Sequence, residues 1–204
     1  MNNLDAMLNT AGAAADFARR YVAYVARLAR DLDFAALEEL ALALERARRD
    51  GRTVYLVGNG GSAATASHWA NDLMIGTRDA PGPALRAVSL VDNVPVLTAI
   101  ANDREYADVF VRQLEALFQR GDVLIAISAS GNSPNVVRAV QHANDSGGTS
   151  VGILGFDGGR LKALCRIPIV VATPAGEYGP VEDIHMIIDH LITTWLKDRF
   201  RRRA

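Results

Sequence analysis

The feature that most constrains this chain is a unit that occurs twice: a short apolar run, a loop of glycine, serine and asparagine, then a helical pattern. Thr53-Val54-Tyr55-Leu56-Val57 leads into Gly58-Asn59-Gly60-Gly61-Ser62 and a helix over about 63–73. Val123-Leu124-Ile125-Ala126-Ile127 leads into Ser128-Ala129-Ser130-Gly131-Asn132-Ser133 and a helix over about 134–144, with Pro134 at a first-turn position where its missing N–H costs nothing. Runs that are apolar throughout, without alternation, read as strands covered on both faces, and strands alternating with helices form a parallel sheet. Further strands are predicted at 87–90, 150–154 and 167–171. Helical spacing over about 4–32 and 34–49 places two helices before the first strand, and an amphipathic helix over 181–200 closes the chain. The expected fold is α/β: a doubly wound, mainly parallel five-stranded sheet flanked by helices, with an N-terminal helical extension. A chain of 204 residues, 50% hydrophobic, suits one core, so residues 1–204 are read as a single domain whose first 50 residues serve packing or oligomerisation.

The charge balance excludes several partners. With 22 Lys and Arg against 23 Asp and Glu, nothing suggests a polyanion, and Arg201-Arg202-Arg203 lacks the interleaved aromatics of a nucleic-acid surface. The one cysteine, Cys165, cannot form an internal disulfide and lies in an apolar stretch, which fits a reducing compartment. No basic segment followed by an apolar core opens the chain, and no apolar run reaches spanning length, so a cytoplasmic location is expected.

The two loops carry the functional signal. In a doubly wound sheet, ligands bind beyond the carboxyl ends of the strands, where helix N-termini direct amides at anions. Gly58, Gly60 and Gly61 allow close backbone approach, while Asn59 and Ser62 add polar groups. The first loop is neither a Walker loop nor a dinucleotide fingerprint. Ser128, Ser130 and Ser133 set three hydroxyls beside free amides, as a dianionic phosphate requires. The structural alternative is that Ser133 caps the helix and the other serines bond within the loop.

With these loops, with His68, with Leu97-Thr98-Ala99-Ile100-Ala101-Asn102-Asp103, and with Glu182-Asp183-Ile184-His185 followed by His190, the sequence resembles the sugar isomerase (SIS) family over nearly its whole length. The resemblance is strongest to the branch that interconverts sedoheptulose 7-phosphate and D-glycero-D-manno-heptose 7-phosphate. It implies that Ser128, Ala129, Ser130 and Ser133 hold the phosphate. Asn59, Gly60, Gly61, Ser62, Asn102, Asp103, Asp72 and Glu182 would meet the rest of the sugar. It further implies one divalent metal per site, zinc in kind, on His68, Asp72, Glu182 and His190, and a homotetramer with sites at subunit interfaces.

Two of the four metal positions depart from the family's His, Glu, Gln, His pattern, namely Asp72 and Glu182. Asp72 reaches about 1.5 Å less far than Glu, and Glu182 adds a negative charge where the family has Gln. Ala129, Gly76 and Gly179 depart as well, from Thr, Arg and Asp, with Arg78 near the second. His68 and Asp72, four apart on a helix, share a face, whereas Glu182 and His190 lie about 80° apart around the last helix and two turns distant. His185 and Asp189 are lower-ranked members of the set. Asp72 and His190 are the expected catalytic pair, moving a proton through an enediol.

Two other readings compete. One is a non-catalytic binding member of the family, like the factor that binds the replication initiator DnaA. The other is an isomerase or epimerase of a different sugar phosphate.

Overall fold

The computed structural model describes residues 2–78, 80 and 82–202, so Arg203 of the basic run lies outside the described residues. Helices α1 (Asn3–Thr10), α2 (Ala14–Arg30) and α3 (Phe34–Arg49) precede β1 (Thr53–Val57). The single helix expected over 4–32 is in fact two. Ala11 and Ala13 are extended around Gly12, and a capping box from Asn2 and Asp5 starts α1 separately. Helix α3 begins at Asp33, whose carboxylate accepts from the N–H groups of Ala35 and Ala36, a cap contributing about 1 kcal/mol.

After β1 come α4 (Gly61–Asn71) with a π-helical turn over Asp72–Gly76, β2 (Arg86–Ser89), α5 (Val94–Asp103), a 3-10 turn (Tyr106–Asp108) and α6 (Val111–Leu117). Then follow β3 (Val123–Ser128), α7 (Pro134–Asp145), β4 (Thr149–Phe156), α8 (Gly159–Leu164), β5 (Ile167–Ala172) and α9 (Tyr178–Arg202). The strands lie in the order β2-β1-β3-β4-β5, all parallel, as expected of a doubly wound sheet. Every residue of β1 and β3 is buried, with alternate side chains serving opposite faces. Val54, Leu56, Ile125 and Ile127 pack with α3, α4 and α9, while Tyr55, Val57, Leu124 and Ala126 pack with α6 and α7.

The order reverses between β1 and β3, and this is the point that brings the two polar loops side by side at the carboxyl edge. Gly155 in β4 serves the same end. A Cβ there would press on Val181 and lie 2.8 Å from the Ala129 carbonyl oxygen, so its absence lets α9 approach the second loop. Burial pushes the Cys165 thiol up to about 12, in keeping with a small apolar side chain. Among the described residues no helix is long and apolar enough to cross a membrane.

Candidate functional site

The second loop is held by its own residues. The N–H of Gly131 donates to Ser128 Oγ at 3.0 Å, the N–H of Asn132 donates to Ser130 Oγ at 3.3 Å, and Asn132 Oδ1 accepts from the N–H of Arg160 at 3.0 Å. Part of the structural alternative therefore holds for Ser128 and Ser130. It does not hold for Ser133, which stands at the N-cap of α7 without a side-chain cap bond, leaving its hydroxyl beside the first amides of the helix. Gly131 sits at φ +63, and a Cβ there would collide with the Gly158 carbonyl.

In the first loop Gly60, at φ +55, turns the chain into α4, and Ser62 is buried in the first turn rather than presented to solvent. Asn59 and Asn135, on the first turn of α7, exchange both amide bonds: Asn59 Nδ2 donates to Asn135 Oδ1 at 3.0 Å and Asn135 Nδ2 donates to Asn59 Oδ1 at 2.8 Å. The Tyr106 hydroxyl donates to the same Asn59 Oδ1 at 3.0 Å. Sequence reading missed both Asn135 and Tyr106. Asn135 follows the serine loop by two residues, but only the β1–β3 adjacency reveals its partner. Asn102 and Asp103, the last residues of α5, are exposed and pair with each other, Nδ2 to Oδ1 at 3.0 Å.

A second group of polar side chains forms between α4 and α9. His68 Nε2 lies 3.2 Å from His190 Nε2, 3.5 Å from Asp72 Oδ2 and 3.9 Å from Asp189 Oδ2. One ligand-type atom from each of these four residues falls within 4.8 Å of every other. Asp189 is fully buried; its Oδ1 accepts from the Thr193 hydroxyl at 3.2 Å, and its Oδ2 has no hydrogen-bond partner. Burial, with the Asp72 charge adding to it, pushes the Asp189 carboxyl up to about 7, and the Thr193 bond lowers it in part. The helix makes its π turn from Asp72 onward, so His68 and Asp72 keep the ordinary α-helical spacing and share a face.

Glu182 is outside this group of four. Its carboxylate lies directly against Gly61, where any side chain would strike it, so it joins α9 to the first loop. His185, the other lower-ranked member, is completely buried, and neither ring nitrogen meets a hydrogen-bond partner in good geometry. Burial pushes it down to about 4, offset in part by the backbone of Leu154, and the ring is neutral. Beside Gly179 stands the Tyr21 hydroxyl, 3.0 Å from where a Cβ would lie, donating to Asp183 Oδ2 at 2.6 Å.

The four gathered residues fit a divalent cation. Two nitrogens bound at 2.0–2.1 Å in a tetrahedral shell would be about 3.3 Å apart, and the imidazole pair stands at 3.2 Å. Two carboxylates facing each other, one with an unpartnered buried oxygen, form a site that a cation would neutralise. Mixed imidazole and carboxylate donors accept several divalent metals.

Comparison with known proteins gives the family. Residues 17–155 match the model of the SIS domain, a span from α2 through β4 that stops short of the helix carrying Glu182, Asp189 and His190. A phosphoheptose isomerase of Trichlorobacter lovleyi is 41% identical over 158 residues, 76% of this chain and 80% of that one. Another, of Pelobacter propionicus, is 42% identical over 165 residues, 79% of this chain and 86% of that one. Among solved structures, the phosphoheptose isomerase GmhA of Neisseria gonorrhoeae superposes with a TM-score of 0.81 at 27% identity, covering 91% of this chain and all of that one. The chain thus belongs to the SIS domain family and, within it, to the phosphoheptose isomerases, a family of phosphosugar isomerase enzymes.

Proposed function

We propose that the chain interconverts sedoheptulose 7-phosphate and D-glycero-D-manno-heptose 7-phosphate as a metal-dependent cytoplasmic enzyme, one SIS domain per chain. The observation that carries this reading is the gathering of His68, Asp72 and His190 on two helices whose α9 member also reaches the first polar loop through Glu182.

The phosphate lies in the Ser128–Ser133 loop, against the amides that open α7 and the Ser133 hydroxyl. Asn59, Gly60, Gly61 and Ser62 line the path toward the reacting end, with Asn102 and Asp103 beyond. Either Asp72 or His190 removes the proton from the carbon bearing the hydroxyl next to the carbonyl, and the other returns a proton to the neighbouring carbon, so the carbonyl and hydroxyl exchange places through an enediol. His68, Asp72 and His190 would hold the cation, with Asp189 from the gathered set and Glu182 from the loop side as the two claimants for a further position. A bound divalent ion, zinc by the family resemblance, would supply Lewis-acid polarisation that favours the enediol.

The N-terminal helices, with exposed Val22 and Phe34, and the outer face of α9, with Ile187, Leu191 and Trp195, offer apolar surface for the homotetramer the family suggests. The test is conversion of sedoheptulose 7-phosphate before chelation, after chelation and after metal is restored. Turnover that disappears and returns supports the reading; no turnover by metal-loaded protein overturns it.

A further inference from the structure

The reciprocal amide pair between the two loops fixes what Asn59 can offer a ligand. A carboxamide pair can in principle flip, exchanging oxygen for nitrogen, but here a backbone group decides. The Val136 N–H, a donor only, points at Asn135 Oδ1 at 3.0 Å. That atom is therefore the oxygen, and the Asn59 group facing it at 3.0 Å must be the amide nitrogen. Asn59 Oδ1 then accepts from Asn135 Nδ2 and from the Tyr106 hydroxyl, which uses both of its lone pairs. One N–H of Asn59 remains.

The same helix holds Tyr106 in place. Arg138, three residues after Asn135 on α7, pairs with Glu105, just before the 3-10 turn that carries Tyr106, and at 2.6 Å with Asp108, the last residue of that turn. Asn135 is 2% exposed, so nothing from solvent can replace it.

We infer that Asn135 is a positioning residue, seconded by Tyr106, which locks Asn59 as a single N–H donor and so sets the first loop to meet an acceptor oxygen of the sugar. This rests on the reading that Asn59 touches the sugar. It also means that α7, whose first amides face the phosphate loop, orients the sugar loop through the same turn, so both ends of the ligand are set from one helix.

The test is a double-mutant cycle on the full chain, read as Kd for sedoheptulose 7-phosphate and as kcat/KM. Asn135→Ala should weaken both by about ten- to a hundredfold, the loss expected when a buried hydrogen-bond partner is removed and a binding group drifts. In an Asn59→Ala background the same substitution should change neither by more than about twofold. Tyr106→Phe, which removes only an exposed hydroxyl and leaves packing alone, should lose about two- to tenfold in wild type and nothing in the Asn59→Ala background. A tether with a purely structural role would give losses that multiply across the cycle and track the melting temperature. That result, or Asn135→Ala and Tyr106→Phe both matching wild type, would overturn the inference. Wild-type protein that binds the sugar phosphate without converting it would contradict the isomerase reading instead, and the cycle in Kd would still decide this one.

Discussion

The serine loop and the four-residue group between α4 and α9 are built in opposite ways. The loop largely satisfies itself: the Ser128 and Ser130 oxygens accept from its own amides, and a glycine at φ +63 closes the turn. The group between the helices does not, since it sets two carboxylates together, leaves one buried oxygen unpartnered and relies on packing between distant segments to hold it. On the proposed reading, recognition of the phosphate is written locally, whereas the chemistry is assembled by the tertiary fold. Binding at each part should therefore survive the loss of the other.

The sharpest break is His190→Ala. Loss of an imidazole proposed both to bind the cation and to carry a proton should lower kcat by more than about a thousandfold. Inorganic phosphate should still bind at the serine loop, which a calorimetric titration would show. The converse is Gly131→Val, which forces a branched residue to positive φ against the Gly158 carbonyl. It should cost about 3 kcal/mol in denaturant unfolding and abolish phosphate binding, while metal content per folded chain stays unchanged.

Acid should find the packed side of the molecule first. His185 is held at about 4 against an ordinary value of 6.5. Its folded pKa is depressed, so the unfolded chain takes up the proton first: the contribution is complete above pH 6.5 and is lost as the pH falls toward 4. The loss amounts to about 3 kcal/mol. Comparing urea unfolding at pH 7 and pH 4.5 for wild type and His185→Leu isolates this term, since only the wild type should lose it.

The smallest expected effect separates Asp189 from Glu182. Asp189→Asn should weaken metal binding about ten- to a hundredfold. Glu182→Gln, which restores the neutral group common in the family and leaves the gathered four untouched, should leave metal affinity within about threefold and act on KM instead. The reverse pattern would assign Glu182 to the metal.

This contrast also explains what could be read in advance. Strands, both loops and the five-stranded parallel sheet were legible because each loop is one continuous run following an apolar strand. The break at Gly12 was hidden by helical spacing that continues across it. Helices α5, α6 and α8 escaped because they are short, or in Val94–Asp103 nearly apolar on every side in the first two turns. His68, Asp72 and His190 were found through resemblance to a family and do converge. That Asp189 stands beside these three was not legible, because adjacency to His190 says little until the phase of α9 against α4 is known. Asn135 and Tyr106 could not be linked to Asn59 without the pairing of β1 with β3.

The most direct test is a crystal structure of metal-loaded protein soaked with sedoheptulose 7-phosphate. The account predicts the phosphate among the amides and hydroxyls of Ser128–Ser133, a cation touching His68 and His190, and the first two sugar carbons beside Asp72 and His190. A phosphate bound elsewhere, or a cation that neither imidazole contacts, would contradict it.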